Sequence, residues 1–353
     1  MRIGVLTGGG DAPGLNAVIR AVTRALIRQG GAEVLGIADG YLGLIEHRVQ
    51  PLDWATVNGI EALGGTLLGT TNRVSPLSYQ GRDRRDDVVS YARELGLDGL
   101  VAIGGDGTQA IADALNRHGL PTVGVPKTID NDIVQVERSV GFDTAVATVT
   151  EAIDRIRTTG QSHGRVMLVE TMGRNAGWLA LEAGIAAAAD VILIPEIAYD
   201  VDAVAAVCRE RQAREHFTIV CVAEGARPLG GQVTVQGRVP DAPEPVRLGG
   251  VAQVLERQLG ERLTSEVRAT VLGHLQRGGM PTANDRILGT RLGQAAAEQV
   301  CEGAWGVMVS VAGDRIDRVP LADVAGRTRS VPPDHPLVVC ARRVGVSFGD
   351  RRP

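Results

Sequence analysis

The segment RIGVLTGGGDAPGLN, residues 2–16, decides the fold class of this chain. An apolar run of strand length leads directly into a glycine-rich turn, and an amphipathic helical pattern follows over about residues 15–29. A second apolar run, EVLGIA at 33–38, has the length of another buried strand. Because strand, helix and strand in succession form the repeating unit of α/β proteins, these residues predict a parallel sheet flanked by helices.

The same alternation continues through the rest of the chain. Further strands are predicted at GLVAIG (99–104), TVGVP (122–126), VMLVE (166–170), VILIP (191–195), FTIVCVA (217–223) and ATVLG (269–273). Further helices are predicted at about 86–95, 109–118, 144–158, 176–188, 201–211, 283–300 and 336–344. Residues 227–247 hold many Gly and Pro residues and are expected to form a loop or a hairpin.

Length and composition are those of an ordinary globular protein. The 353 residues suffice for two domains or one large domain, and 44% hydrophobic with 22% charged residues excludes long disorder. A net charge of −4 gives no general attraction to nucleic acid or anionic lipid. Four cysteines without a CxxC pair argue against a zinc cluster and a disulfide framework. Since we find neither a signal sequence nor a transmembrane stretch, we expect a cytoplasmic protein.

Residues suited to catalysis or ligand binding follow the predicted strands repeatedly. They lie at 8–14, 104–108, 127–132 and 171–174, and at Glu224. In open parallel sheets ligands bind beyond the carboxyl ends of the strands. The sequence therefore predicts one composite site at that edge.

The first of these loops, TGGGDAPGLN at 7–16, is suited to an anion. Its glycines let backbone N–H groups approach a phosphate, and the next helix starts there. Leu15 and Asn16 exclude a Walker loop, and Pro13 disagrees with a Rossmann fingerprint. The alternative interpretation is a tight strand–helix turn that needs glycine only for its backbone angles.

The second loop, GGDGT at 104–108, combines glycine with a carboxylate. This arrangement suits a polyphosphate with Asp106 near Mg²⁺, which prefers oxygen ligands and substrate phosphates. A simple Gly-Asp-Gly turn is the alternative, but two such loops after two strands favour phosphate binding.

The third loop, PKTIDND at 126–132, carries the chemistry and the only lysine of the chain, Lys127. In an extended segment Asp130 and Asp132 would face the same side. One carboxylate could then take a hydroxyl proton while the other helps to hold a metal ion, as phosphoryl transfer to an alcohol requires. Thr128 can donate to a phosphoryl oxygen, and Lys127 adds a point charge. The alternative is a solvated acidic turn, which leaves the single lysine unexplained.

Several cations later in the chain are candidate phosphate ligands. A strand from Arg268 to a turn at 274–277 could present several of them to one anion, although most arginines of this chain are expected to be surface residues. The candidates are Arg165, Arg174, Arg268, His274 and Arg277.

Five motifs in this order resemble the 6-phosphofructokinase family: TGGGDAPGLNAVIR, GGDGT, PKTIDND, MGRNAGW and RATVLGHLQRGG. The resemblance covers nearly the whole chain. It implies two Rossmann-like domains with parallel or mixed sheets flanked by helices, and phosphorylation of the 1-hydroxyl of fructose 6-phosphate with ATP and Mg²⁺. A phosphoryl-donor domain is expected at 1–141 plus about 276–326, and a sugar-phosphate domain at 142–275 plus about 327–353. The family usually assembles as a homotetramer, with a homodimer as the alternative.

The resemblance also assigns roles to residues. Asp130 matches the base that takes the sugar hydroxyl proton, and Asp106 matches the magnesium-linked aspartate, with Asp132 beside it. Gly10, Thr128 and Arg174 match positions that stabilise the transferred phosphoryl group, where Lys127 adds its charge. The resemblance places the donor at Gly10, Arg73, Gly105, Asp106, Gly107 and Thr108, and the sugar phosphate at Thr128, Asp130, Asp132, Met172, Gly173, Arg174, Glu224, His274 and Arg277. Arg165 and Arg268 match arginines that reach the sugar phosphate of a neighbouring subunit.

Members of the family differ in the phosphoryl donor that they use. Pyrophosphate-dependent members tend to carry Asp at the position of Gly107 and Lys at the position of Lys127. A carboxylate would exclude ATP by bulk and repulsion, whereas a lysine suits either donor, so Gly107 favours ATP. The alternatives are pyrophosphate as the donor, a related acceptor such as sedoheptulose 7-phosphate, or a non-catalytic sensor of nucleotide or sugar phosphate. A nicotinamide oxidoreductase is disfavoured by Pro13 and the carboxylate loops.

Two departures from the family pattern affect these assignments. Asn72 stands where many members have an arginine facing the transferred phosphate, and Arg73 is one position later. Residues 213–217 replace the basic effector segment of allosteric bacterial members, although four other effector positions match. The matching positions are Arg20, Arg24, Arg157 and Glu196.

Overall fold

Strands and helices alternate along the chain in the computed structural model, which describes residues 1–238 and 246–351. The strands are β1 (Arg2–Thr7), β2 (Glu33–Ile37), β3 (Val49–Leu52), β4 (Gly99–Gly104), β5 (Thr122–Pro126), β6 (Val166–Thr171), β7 (Val191–Leu193), β8 (Thr218–Ala223), β9 (Val235–Arg238), β10 (Val246–Leu248), β11 (Val267–Val271), β12 (Val307–Ala312) and β13 (Arg315–Pro320). The helices are α1 (Leu15–Gly30), α2 (Tyr41–Ile45), α3 (Arg85–Glu94), α4 (Asp106–Arg117), α5 (Phe142–His163), α6 (Trp178–Ala186), α7 (Val201–Arg214), α8 (Val251–Gly260), α9 (Ala283–Cys301), α10 (Leu321–Val324) and α11 (Pro336–Arg343). Two 3₁₀ turns lie at Ile60–Ala62 and Gly273–Arg277.

These elements form two compact units, each with its own sheet. Of the described residues, the first unit holds 1–144 and 277–329, and the second holds 145–238, 246–276 and 330–351. Within the described ranges, no helix combines the length and the apolar character that crossing a membrane requires.

The first unit is a seven-stranded sheet in the order β13-β12-β5-β4-β1-β2-β3. The five central strands are parallel, and β3 and β13 pair antiparallel at the two edges. Alternate residues of each strand point to opposite faces, so both faces bury apolar side chains. Ile3 and Val5 pack in one core with α1 and α9, whereas Leu100 and Ala102 belong to a second core with α3 and α4.

The second unit is a parallel four-stranded sheet in the order β11-β6-β8-β7. Its core includes Leu168 and Val220 from adjacent strands and Leu255 from α8. Strands β9 and β10 form a separate antiparallel pair, as the hairpin alternative for 227–247 predicts, and residues 239–245 lie outside the described part. The predicted α/β class with parallel sheets is confirmed.

Helix α4 differs from its prediction in a way that affects the site. The sequence pattern predicts a loop through 104–108 and a helix from about 109, but α4 begins at Asp106. Gly105 caps the helix in an extended conformation, and an acidic side chain in the first turn interacts favourably with the helix dipole. The helix start is not predicted because glycines surround it, and the Asp106 carboxylate stabilises it.

The buried carboxylate of Asp285, in the first turn of α9, connects two elements of the first unit. Its Oδ1 accepts a hydrogen bond from the Gly141 N–H at 2.8 Å. Its Oδ2 accepts from the N–H of Thr144 at 2.8 Å and from the Thr144 hydroxyl at 2.5 Å. Burial raises the pKa of Asp285, and these donors oppose that shift. The carboxylate therefore caps the start of α5 from a neighbouring helix.

We expect Asp285→Ala to lower the free energy of unfolding by about 3 kcal/mol, because three buried donors lose their acceptor. Urea unfolding followed by circular dichroism measures this change. Asp154→Ala, at an exposed position of α5, serves as the control and should change stability by less than about 0.5 kcal/mol. Equal stability of the two variants would contradict the capping role.

Candidate functional site

Three loops meet beyond the carboxyl ends of β1, β4 and β5 in the first unit. These strands are adjacent and parallel, so the segments that follow them leave the sheet at the same edge. The N–H of Gly8 donates to the carbonyl of Ile103 at 2.8 Å, and the N–H of Lys127 donates to the carbonyl of Gly104 at 3.0 Å. Backbone hydrogen bonds therefore extend the pairing of the strands into the loops.

The glycines at the strand ends make room for the side chain of Thr108. A Cβ added at Gly104 would lie 2.3 Å from the Thr108 hydroxyl oxygen, and one at Gly8 would lie 2.6 Å from it. The buried hydroxyl of Tyr41 donates to the Thr108 carbonyl at 2.9 Å and holds this residue from behind. Packing against Thr108 therefore explains the need for glycine at positions 8 and 104 without a bound phosphate.

Lys127 ties the third loop to the first. Its side chain is only 3% exposed, and its Nζ donates to the carbonyl of Gly8 at 3.1 Å and to that of Gly10. Burial, with a smaller contribution from the charge of Arg277, lowers the pKa of Lys127 to about 7. The carboxylates of Asp11, Asp130 and Asp106 oppose this shift.

Arg277 adds a second cation at the first loop. Its Nη1 donates to the carbonyl of Asp11 at 3.2 Å. Arg277 ends the 3₁₀ turn Gly273–Arg277, which also contains His274, and it is the residue at which the chain returns to the first unit. Within the first unit, Arg277 and Lys127 place positive charge beside the loop predicted to bind an anion.

Asp106 and Gly107 occupy the first turn of α4. Asp106 is half-buried, and its Oδ1 accepts a hydrogen bond from the Gly107 N–H at 2.7 Å. Gly107 is exposed, and a Cβ added there would have none of the described neighbouring atoms within 4 Å. Its φ lies outside the left-handed region, so other residues fit this backbone. Position 107 therefore offers open space at the helix start.

The acidic loop, residues 126–132, is a turn and not the extended segment that the sequence analysis assumes. Asn131 adopts a left-handed conformation with φ 51°, which asparagine tolerates better than most residues. Its Nδ2 donates to the carbonyl of Glu137 at 3.1 Å, and its Oδ1 accepts from the Ser139 N–H at 2.9 Å. The Ser139 hydroxyl donates to the Thr128 carbonyl at 2.7 Å. The sequence analysis names neither Asn131 nor Ser139, which fix the shape of the loop.

The acidic loop still brings its carboxylates into one electrostatic cluster. Asp132 is 9% exposed, and burial raises its pKa to about 7, helped by the charges of Asp130 and Asp106. Thr128 contributes twice: its hydroxyl accepts from the Asp130 N–H at 3.1 Å and donates to Asp132 Oδ1 at 3.4 Å. Mutual repulsion among carboxylates of two loops is relieved when a cation binds between them.

The donor set fits Mg²⁺ only together with a ligand that brings oxygens. In the part of the chain that the structure describes, no group of three or more His, Cys, Asp or Glu side chains could hold a metal ion. Mg²⁺ is commonly held by one or two carboxylates plus substrate phosphates and water. Asp106 and Asp132, whose charges interact, supply that number of carboxylates.

The second unit holds the remaining predicted residues, several of them beyond the carboxyl ends of β6 and β8. The N–H of Met172 donates to Oε1 of the buried Gln276 at 3.1 Å, and the N–H of Glu224 donates to the Thr171 carbonyl at 2.9 Å. Arg174 donates to the Val246 carbonyl at 2.7 Å. Gly173 follows Met172 with φ 125°, and His274 is exposed in the 3₁₀ turn after β11.

Arg165 and Arg268 lie at the opposite end of this sheet. Arg165 precedes β6 and Arg268 is the second residue of β11, and both pair with Glu266. The six residues of β6 separate the two ends by roughly 20 Å. Within this chain Arg268 and His274 do not face one anion, contrary to the expectation from the sequence, because β11 runs between them.

The family model described as phosphofructokinase matches residues 2–300 of this chain. The chain belongs to the phosphofructokinase family. An "ATP-dependent 6-phosphofructokinase 2" of Clostridium perfringens is 46% identical over 99% of this chain and 98% of the relative. A "pyrophosphate–fructose 6-phosphate 1-phosphotransferase" of Streptomyces coelicolor is also 46% identical, over 99% of this chain and 100% of the relative.

Solved structures agree with this membership. The phosphofructokinase of Saccharomyces cerevisiae matches with a TM-score of 0.80 and 33% identity over 92% of this chain. The chain spans 45% of that yeast chain. As a member of this family the protein is a phosphotransferase enzyme, and its two-sheet α/β fold is the family's fold.

The two departures from the family pattern have structural counterparts. Asn72 and Arg73 are both exposed, and the Arg73 N–H donates to the Thr71 hydroxyl at 3.2 Å. Among the effector positions of the first unit, Arg20 pairs with Glu61 at 3.2 Å, and Arg24 donates to Asn58 at 3.0 Å and lies over the ring of Trp54. These arginines have partners within their own unit.

We expect Lys127 to make the stability of the protein depend on pH. Its folded pKa of about 7 lies below the unfolded value of 10.5, so between these values the unfolded chain binds more protons. Stability contributed by this residue therefore rises with pH across that window. The melting temperature of wild type minus that of Lys127→Met should increase from pH 7 to pH 10 in buffer without phosphate or divalent metal.

Arg28→Met is the control for this measurement, because the arginine is exposed and remains charged throughout. The difference between wild type and this variant should stay constant with pH. A constant difference for Lys127→Met as well would show that Lys127 titrates normally.

Proposed function

We propose that the protein transfers the γ-phosphoryl group of ATP to the 1-hydroxyl of D-fructose 6-phosphate, giving fructose 1,6-bisphosphate and ADP. The observation that carries this proposal is the cluster of Asp106, Asp130 and Asp132 beside the buried Lys127. Family membership and relatives named for this reaction with ATP support it. In this proposal the first unit acts on the donor and the second binds the sugar phosphate.

Asp130 is the proposed general base. Its carboxylate takes the proton of the sugar 1-hydroxyl as the oxygen attacks the γ-phosphorus and the bond to the bridging oxygen of ADP breaks. Thr128, Arg174 and the N–H of Gly10 donate hydrogen bonds to the phosphoryl oxygens, whose negative charge must be held during transfer. Lys127 supplies a positive charge and keeps the first loop in place.

The proposed metal ion is Mg²⁺, with Asp106 as its protein ligand and Asp132 beside it. When bound, it would neutralise phosphate charge. The donor's phosphates would lie along the backbone of residues 105–108 at the start of α4, where N–H groups and the helix dipole favour anions.

The sugar phosphate is proposed to bind mainly to the second unit, with Thr128, Asp130, Asp132 and Arg277 contributed by the first. Cationic and polar groups there offer hydrogen bonds to the phosphate and the hydroxyls. The proposed ligands are Met172, Gly173, Arg174, Glu224, His274 and Arg277.

Arg165 and Arg268 support the proposal that subunits share their sites. They lie at the amino end of the second sheet, whereas the other sugar-phosphate residues of this unit follow the carboxyl ends of its strands. Two arginines at that end fit a role toward the ligand of a neighbouring copy in a homotetramer or homodimer.

Pyrophosphate as the donor is the second candidate. The observations in its favour are the buried Lys127 and the relative of equal identity that is named for pyrophosphate. The open space at Gly107 favours ATP, because a larger donor needs the room that an aspartate would fill. Turnover of fructose 6-phosphate with Mg²⁺, measured with ATP and with pyrophosphate at equal concentration, tests the proposal. Activity with pyrophosphate alone would overturn it.

We expect Gly107→Asp to reduce turnover with ATP at least about 100-fold, since a fixed carboxylate beside the donor's phosphates costs several kcal/mol. The fold should tolerate this change, because a side chain at 107 meets open space. Gly107→Asn is the matched control, with the same bulk and no charge. Unchanged ATP kinetics in Gly107→Asp would contradict the steric and electrostatic argument.

We expect Asp130→Ser to lower kcat by roughly 1,000-fold, the usual effect of removing a general base, with KM values changed only slightly. Stopped or coupled assays with saturating substrates measure this loss. Full turnover by the variant would show that the proton goes elsewhere. A wild-type protein that binds both ligands without turnover would instead be a sensor.

A further inference from the structure

The acidic loop and the turn that follows it, residues 126–137, hold an unfavourable backbone conformation. Asn131 has φ 51° and Gln135 has φ 59°, both in the left-handed region, which asparagine tolerates but glutamine rarely adopts. Such conformations persist only when surrounding contacts determine them. The turn therefore needs contacts from surrounding residues. These contacts also determine the positions of Asp130 and Asp132.

Arg329, the last residue of the first unit, supplies these contacts. Its Nη1 donates to the carbonyl of Val136, to that of Glu137 at 3.1 Å and, more weakly, to that of Asn131 at 3.5 Å. Its backbone N–H donates to the Asp132 carbonyl at 2.7 Å. One half-buried guanidinium thus binds carbonyls on both sides of the turn.

The segment before Arg329 runs along the same turn. Thr328 and Ile133 form an isolated antiparallel bridge, which aligns the two backbones. The side-chain network of Asn131 and Ser139 fastens the acidic loop from within. The three turn carbonyls all accept from Nη1 of Arg329, which the planar guanidinium holds in a fixed direction, whereas a lysine ammonium sits on a flexible stem.

We infer that Arg329 is a positioning residue for the acidic loop, setting the place of Asp130 and Asp132 through the backbone carbonyls. This inference rests on the proposed function, in which these carboxylates act on the sugar hydroxyl and the metal ion. Displacing a reacting group by about 1 Å can cost 100-fold in rate, so a loop held only by its own contacts would react slowly.

Arg329→Met removes the guanidinium and keeps a side chain of similar length. We expect kcat to fall at least tenfold, while KM for ATP and for fructose 6-phosphate changes less than about threefold. Arg327→Met is the matched control: Arg327 is exposed, two residues earlier, and donates to the Asp323 carbonyl. This variant should keep wild-type kcat. Methylguanidinium chloride at millimolar concentration should restore part of the kcat of Arg329→Met, and sodium chloride should not.

Amide hydrogen exchange provides a readout that does not depend on activity. The amides of Asp130 and Ser139, which donate within the loop network, should exchange at least tenfold faster in Arg329→Met and at the wild-type rate in Arg327→Met. Wild-type kcat and wild-type exchange in Arg329→Met would overturn the inference. A kcat loss without faster exchange and without rescue by methylguanidinium would also overturn it.

Two further outcomes are covered by the same design. If the wild-type protein turns over none of the proposed substrates, the proposed function fails, and hydrogen exchange alone decides whether Arg329 holds the loop. If Arg329→Met does not fold, Arg329→Lys keeps the charge and loses the planar guanidinium that directs Nη1 at the carbonyls. We then expect its kcat and exchange rates to lie between those of wild type and a loosened loop, and wild-type values would overturn the inference.

Discussion

A single buried ammonium group joins loops that are far apart in the sequence. Lys127 reaches back to carbonyls of the first glycine loop, 119 and 117 residues earlier, and the parallel arrangement of β1, β4 and β5 makes this contact possible. Burying the ammonium costs solvation, and the carbonyls and nearby carboxylates return part of it. This bond adds a side-chain link to the backbone hydrogen bonds that connect these loops with the ends of the strands.

A basic and an acidic group of the site have similar pKa values. Burial lowers the pKa of the Lys127 ammonium and raises the pKa of the Asp132 carboxyl, both to about 7. Binding of a polyphosphate would favour the charged lysine, and binding of a divalent cation would favour the charged aspartate. In the proposed function, loading of the site would therefore favour the charged form of both groups.

Sequence patterns predict most of the buried strands and helices of this protein, but they miss β12 and α8, and they predict the loops poorly. Continuous apolar runs such as 99–104 and 122–126 coincide with β4 and β5, because strands covered on both faces are apolar throughout. The edge strand β13 is mostly exposed, with Val319 buried, and lies outside the predicted elements. Lys127, Asp130 and Asp132 are identifiable from local composition. Asn131 is not, since its role depends on a left-handed turn, and Arg329 lies 198 residues away from it.

The open position at Gly107 has an evolutionary consequence. Codons for glycine and aspartate differ by one base when both end in the same pyrimidine, so a single point mutation can add a carboxylate there. Because the added side chain meets no packed atoms of the described chain, such a mutation need not pass through an unstable intermediate. If position 107 sets the donor, as proposed above, donor choice could change repeatedly within one lineage; relatives named for ATP and for pyrophosphate are each 46% identical to this chain.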